Sequence, residues 1–200
     1  MTAPASTARA ERYPAPALTD LPEDIRTMLL DVQQKAGFVP NVFLKLARRP
    51  DELRAFFAYH DALMLRENAL SKAEKEMIVV ATSGANGCLY CVVAHGAILR
   101  IYAKNPRIAD QLATNHRKAD ITPRQRAMLD FALKVATASS EIDESDFAEM
   151  HAHGFTDEDI WDVGAIAAFF ALSNRMANLS GMMPNDEFYL MGRVPREKKS

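Results

Sequence analysis

Apolar residues along this chain recur with helical rather than alternating spacing, and the pattern predicts an almost wholly helical, all-α protein. Leu21 to Gly37 reads as a first helix, with Asp20 as its cap, Pro22 near its start and Gly37 at its end. In GFVPNVFLKLARRP a turn at Pro40-Asn41 leads into a short helix stopped by Pro50. Asp51 to Arg66 sets Leu53, Phe56, Phe57, His60, Leu63 and Met64 at helical spacing. Ser71-Lys-Ala-Glu74 is a capping box, serine at the N-cap and glutamate three residues on. The helix it opens is apolar all round from Met77 to Ala81, as a buried helix is. Asn86-Gly87 breaks the chain and offers an N-cap for a helix from about Cys88 to Ala103.

Pro106 to His116 reads as another helix. Thr122-Pro-Arg-Gln125 is a second capping box, with proline in its favoured first turn, and opens a helix through about Ala138. Asp143 to His153 and Thr156 to about Met183 complete the set. The last contains WDVGAIAAFFALSNRMANL, apolar over most of its circumference: a central core helix or a subunit contact. One small core does not cover such a helix, so a homo-oligomer is expected. The two capping boxes lie 51 residues apart (122 − 71), which suggests a duplicated helical hairpin; on that register Cys88 meets Ser139 and His95 meets Asp146. The organisation read from this pattern is an extended N-terminal arm over 1–20, a single helical domain over 21–190 and a polar C-terminal tail over 191–200.

Composition narrows the function classes. Net charge is −2 on 200 residues, which gives no electrostatic case for nucleic acid or an anionic membrane surface as partner. The first twenty residues lack the apolar core of a secretory signal. Val163 to Leu172, the most apolar stretch, falls short of the ~20 residues a bilayer span needs. A cytoplasmic protein is therefore expected, in a compartment whose reducing pools disfavour a structural disulfide. The chain's two cysteines, Cys88 and Cys91, then point to metal or catalysis through their C-x-x-C spacing.

On one helix Cys91 lies about 60° and His95 about 20° from Cys88, so all three share a face. Cys88 and His95 are nevertheless ~10 Å apart along the axis, whereas ligands around one zinc sit only ~3.5 Å apart. A continuous helix does not close all three onto one ion. Haem attachment fails because Val92 follows Cys91. Two inert buried thiols remain the bland alternative. A redox pair fits the geometry: one turn separates the sulfurs, and a helix N-terminus favours thiolate. His95 stacks four residues beyond Cys91, where it takes or returns a proton. Glu76 abuts the apolar run and, unlike Glu74, has no capping role; a carboxylate buried there is costly unless paired. The competing placement is outward, paired with Lys72.

EMIVVATSGANGCLYCVVAHGAILR, Glu76 to Arg100, resembles the core of the AhpD-like alkylhydroperoxidases, within the wider carboxymuconolactone decarboxylase family. The shared signature is a glutamate, an interval of twelve (88 − 76), then C-x-x-C-x-x-x-H. GFVPNVFLKLARRP and the helix capped by Ser71 resemble the longer, peroxidase-related branch. The resemblance implies an AhpD-like helical bundle, homo-oligomeric assembly and reduction of hydroperoxides without metal, flavin or haem. It implies roles too: Cys91 as peroxidatic thiol, Cys88 as resolving thiol, and His95 with Glu76 as proton relay. The best-known members have a histidine before the second cysteine; here it is Tyr90, a phenol that donates a hydrogen bond but shuttles protons poorly at neutral pH. Tyr90 and Asn86 are expected as supporting residues.

The expected substrate is an organic hydroperoxide, given the apolar residues around the pair, and the expected reductant a dithiol or small redox protein. A redox adaptor or sensor that exchanges disulfides with a partner protein uses the same pair. Decarboxylase or lactone chemistry on this fold is disfavoured, since Arg100, Arg107 and Arg175 look isolated rather than clustered for a dicarboxylate. His151 and His153 suit a helix C-terminus, and His60 and His116 show no partner in the sequence.

Overall fold

The computed structural model describes residues 13–193, and among these every regular element is helical. The expected arm and tail lie outside the described residues over 1–12 and 194–200. The chain divides into two compact units, one through Leu53 and one from Arg54 onward.

The first unit holds α1 (Glu23–Ala36) and α2 (Asn41–Leu46). α1 starts two residues later than its pattern suggested. Leu21 precedes a proline and is extended, so Leu18–Asp20 form a separate 3-10 turn and Asp20 caps nothing beyond it. Gly37, at φ 88°, ends the helix in the left-handed conformation that costs glycine least. Lys45 Nζ donates to the Tyr13 carbonyl at 2.9 Å, and the Arg48 guanidinium sits 4.9 Å over the Tyr13 ring. Pro50, expected as a stop, is instead the first residue of α3 (Pro50–Met64), where a missing N–H costs nothing.

In the second unit follow α4 (Lys72–Ala85), α5 (Leu89–Ala103), α6 (Ile108–Asn115), α7 (Pro123–Ala138), α8 (Glu144–Ala152), α9 (Asp157–Ser180) and the single turn α10 (Glu187–Leu190). α4 is the axis of this unit: it packs on α5, α6, α7 and α9, and residues 74–83 are all buried. Both capping boxes read from the sequence close as expected, Ser71 with Glu74 and Thr122 with Gln125. Two more, Asp143 with Asp146 and Thr156 with Asp159, use aspartate in place of the usual glutamate or glutamine and so were not legible as boxes.

Small residues set the closest approaches. A Cβ on Gly84 would overlap the Ala113 carbonyl oxygen, and one on Gly96 would lie 3.2 Å from Ala109 Cβ, so α6 sits against the glycines of α4 and α5. Buried Lys75 donates from Nζ to the carbonyls of Leu63 (3.1 Å) and Arg66 (2.5 Å), placing its charge at the C-terminal end of α3. Arg100 is buried rather than solvated; it donates to the carbonyls of Phe188 and Met191, both at 2.9 Å, and so holds α10 on α5.

α9 is a core helix along one face and solvent-exposed along the other. Ile160, Val163, Ile166, Phe169 and Phe170 are buried in the core. Its other face exposes Trp161 (72 %), Leu172, Met176 and Leu179. Tyr59, Phe131, Phe147, Ile160 and Trp161 line a groove of about 530 Å³ beside it. Gly181, at φ 63°, ends the helix earlier than expected. The fixed 51-residue register does not extend through the hairpins: the N-caps of α5 and α8, Cys88 and Asp143, are 55 apart (143 − 88), because the turn Ser139–Glu141 lengthens the second connection. No helix among the described residues is long and apolar enough to cross a membrane.

Candidate dithiol active site

The site forms where α4 ends, α5 begins and the middle of α9 crosses them. Asn86 is not the N-cap of α5: it closes α4, and Cys88 itself is the N-cap. The Cys88 sulfur takes the place usually held by a serine or aspartate oxygen, accepting from the Cys91 N–H at 3.5 Å. The Cys88 N–H in turn donates to the Ser83 carbonyl at 2.9 Å, which ties the C-x-x-C turn to the last turn of α4. Both thiols are free, and both are about 1 % exposed.

Glu76 lies three turns before Asn86 on α4 and His95 nearly two turns into α5, and the packing of these helices brings them together. His95 Nδ1 and Glu76 Oε2 are 2.8 Å apart, with the carboxylate buried. The outward placement against Lys72 is therefore not the one adopted. Phe170 of α9 presses its edge on the His95 ring, centroids 4.7 Å apart and planes at 82°. His60 also meets Phe170, its ring 6.4 Å from the same phenyl and its Nδ1 2.9 Å from Asp61 Oδ1. Burial pulls the His60 pKa down, with the Asp61 hydrogen bond opposing. Tyr90 is buried in the first turn of α5.

The thiols share one proton unequally. The Cys91 thiol donates to the Cys88 sulfur; this, the Cys91 N–H, the Asn174 amide and the His95 charge together outweigh burial and pull Cys88 down to about 6. Cys91, as donor, is pushed above the ordinary thiol range, burial and the Cys88 charge adding to the effect. These effects favour resting charge on Cys88, whose sulfur accepts the Cys91 N–H, over the residue that the family resemblance makes the attacking thiol.

Two buried polar groups of α9 were not singled out from the sequence. Ser173 Oγ is 3.8 Å from Cys91 Sγ. Asn174, fully buried, donates to Ser83 Oγ at 2.9 Å and accepts from Asn86 Nδ2 at 3.0 Å. The only sign of them is a Ser-Asn pair interrupting FFALSNRMANL, on a helix read as core. Arg175 beside them is exposed and donates to the Ala171 carbonyl; it forms no anion site with buried Arg100.

Residues 50–113, which hold Glu76, both cysteines and His95, match the model of the carboxymuconolactone decarboxylase family. A crystal structure of an AhpD-core, peroxidase-related protein from Ralstonia eutropha JMP134 is 72% identical, covering 92% of this chain and 97% of that one, with a TM-score of 0.91. The chain belongs to the AhpD-like branch of the carboxymuconolactone decarboxylase family. A peroxidase-related protein from Silicibacter sp. TM1040 is 41% identical over 94% of this chain and 100% of that one, at TM-score 0.87. The debrominase Bmp8 shares the fold at 21% identity and TM-score 0.75, over 90% of this chain and 96% of that one, so AhpD-like folds also serve other chemistry. No curated protein matches the chain.

Proposed function

We propose that this AhpD-like protein is a thiol-dependent hydroperoxide reductase. The observation that carries the reading is the buried pair of Glu76 on α4 and His95 on α5, the helix that the C-x-x-C opens: a proton donor beside a dithiol whose Cys88 is held down to about 6. In the reaction the Cys91 proton passes to the Cys88 thiolate and Cys91 attacks the distal oxygen of the hydroperoxide. The O–O bond breaks, Cys91 becomes a sulfenic acid, and the departing alkoxide takes a proton from His95, held in place by Glu76. The Cys88 thiol then attacks the sulfenic sulfur; its proton and the departing hydroxide leave as water, and a Cys88–Cys91 disulfide remains. An external dithiol reduces that disulfide by exchange and returns the protons.

The same arrangement serves a disulfide-exchange adaptor, but thiols with 1 % exposure favour a small oxidant over a protein disulfide. Phe170 and the apolar flank of α5 favour an organic hydroperoxide over hydrogen peroxide. The reduced protein, mixed with one equivalent of cumene hydroperoxide, is expected to lose both thiols much faster than free cysteine does and to lose about 2 Da. Oxidation no faster than that of a model thiol would falsify the reductase reading and leave the adaptor.

Self-association belongs to the same proposal. Trp161, Leu172, Met176 and Leu179 form an exposed apolar face that a monomer leaves in water, and a second copy of the chain is its expected cover. Light scattering at micromolar concentration is expected to give a multiple of the 22.2 kDa chain mass, and Trp161→Asp a smaller species. A monomeric wild type removes this part of the reading.

A further inference from the structure

We propose that Asn174 is a positioning residue for both cysteines: its amide locks the C-x-x-C turn onto α9 and donates an N–H to whichever sulfur bears the negative charge. The inference deepens the thiol chemistry proposed above and rests on that reading.

The geometry is specific. Asn174 is fully buried, and both ends of its amide are used. Its carbonyl accepts from Asn86 Nδ2 (3.0 Å), and its nitrogen donates to Ser83 Oγ (2.9 Å), so the amide orientation is fixed by two neighbours on opposite sides. Those neighbours are the residues that shape the turn: Ser83 supplies the carbonyl that holds the Cys88 N–H, and Asn86 is the cap of α4. One helical turn further along α9, Asn178 donates to the Asn86 carbonyl at 3.4 Å. Ser173, the residue before it, sets a hydroxyl 3.8 Å from Cys91 Sγ, which places this turn of α9 against the pair, and the Asn174 amide acts to lower the pKa of both cysteines. An amide nitrogen carries two hydrogens; Ser83 takes one, and in this proposal the other goes to the sulfurs.

Such a donor suits a pair whose charge moves. At rest the charge is on Cys88, during attack it shifts to Cys91, and in the disulfide it is gone. A buried N–H within reach of both sulfurs stabilises the first two states and has a weaker acceptor in the third. It therefore biases the pair toward the ionised dithiol and makes the disulfide easier to reduce. The titratable neighbours of the pair, His95 and Glu76, lie on α5 and α4; α9 contributes no charge here, only this amide and the Ser173 hydroxyl.

The test is the pH dependence of iodoacetamide alkylation of the reduced full-length chain, followed by intact mass. Wild type is expected to show a midpoint near 6. Asn174→Asp keeps the side-chain shape, still accepts from Asn86, and accepts from the Ser83 hydroxyl once that rotates, but it no longer donates to sulfur. Its midpoint is expected to rise by about one pH unit or more, with roughly tenfold less thiolate in the range below the new midpoint. Asn174→Ala should rise by less, having lost the donor without gaining a charge. A purely structural residue would instead change the melting temperature and leave the midpoint alone, so a folded Asn174→Asp chain titrating like wild type overturns the proposal. Should position 174 tolerate neither change, Asn86→Ala, which removes one of the two bonds fixing the amide, is expected to raise the midpoint, and no rise overturns it. The alkylation titration needs no peroxide: a wild type inert to hydroperoxide sinks the reductase reading, while the titration still decides on Asn174.

Discussion

Cys91→Ser is expected to abolish hydroperoxide turnover outright, and Cys88→Ser to permit one turnover that stops at a sulfenic acid on Cys91. A serine hydroxyl at position 91 has no accessible oxyanion at neutral pH and no route to a sulfur–oxygen bond, so the loss is complete rather than partial. At position 88 the outcome depends on what Cys88 contributes. As the N-cap, its sulfur accepts the Cys91 N–H; serine is a better acceptor in that place, so the helix start survives the change. What disappears is the resolving thiol and the base that takes the Cys91 proton, so attack slows and the sulfenic acid has nothing to condense with. Trapping with dimedone followed by peptide mass mapping reads this directly. A trapped adduct at position 88 in Cys91→Ser, with none at 91 in Cys88→Ser, would invert the assignment and make the resting thiolate the attacking group. That inversion has a physical case, because the charge in the reduced pair lies on Cys88.

The two thiols divide the credit between sequence and structure in an instructive way. Placing Cys88, Cys91 and His95 on one helical face needed only the spacing, and excluding a shared zinc needed only the helical rise. Glu76 was picked out chiefly by the spacing of the family signature, with elimination in support: Glu74 was already engaged in the capping box, where the structure also gives it Arg124 at 2.9 Å, while Glu76 stood beside an apolar run with no capping role. The Glu76–His95 contact joins two neighbouring helices, within reach of a local reading of the sequence. Asn174 and Ser173 are 83 (174 − 91) and 82 residues beyond Cys91, and nothing local distinguishes a polar residue aimed at a thiol from one aimed at water. The polarity of the pair escaped for a related reason. Once Cys88 is seen as an N-cap rather than a residue inside the helix, its sulfur becomes the acceptor of the Cys91 N–H, which favours charge on Cys88.

The fold shows the same division. The capping boxes with glutamate or glutamine fixed the starts of α4 and α7 to the residue, and the all-apolar circumference of α4 gave its central place. α9 could not be placed by composition, because a face packed on Phe131 and a face left in solvent are both apolar. His116 gained its partner only in three dimensions, Asp130 at 2.7 Å, whereas His60 pairs with Asp61 at 2.9 Å. For His60 the pairing is with its own chain neighbour, and what the sequence withheld was that it shares Phe170 with His95.

Glu76→Gln is expected to lower hydroperoxide turnover by about 10²-fold or more, within the range typical of losing positioned acid–base catalysis, while leaving iodoacetamide alkylation of the pair nearly unchanged. The two reactions share a nucleophile and differ in the leaving group. Iodide departs without a proton; an alkoxide is strongly basic and needs one as the O–O bond breaks. Glutamine keeps the length of the side chain and can still accept from His95 Nδ1, so the ring stays oriented. What it removes is the buried negative charge 2.8 Å away that stabilises the imidazole while it holds the proton to be delivered. His95→Ala should cost at least as much, and it also leaves the Glu76 carboxylate buried without its partner, so its melting temperature should fall further than that of Glu76→Gln. If the two groups act as one relay, the double variant will be no slower than His95→Ala alone, since the second substitution removes a partner that no longer has a function. Losses that multiply would assign them separate roles. A Glu76→Gln chain that melts lower yet turns over like wild type would make the pair a structural contact between α4 and α5.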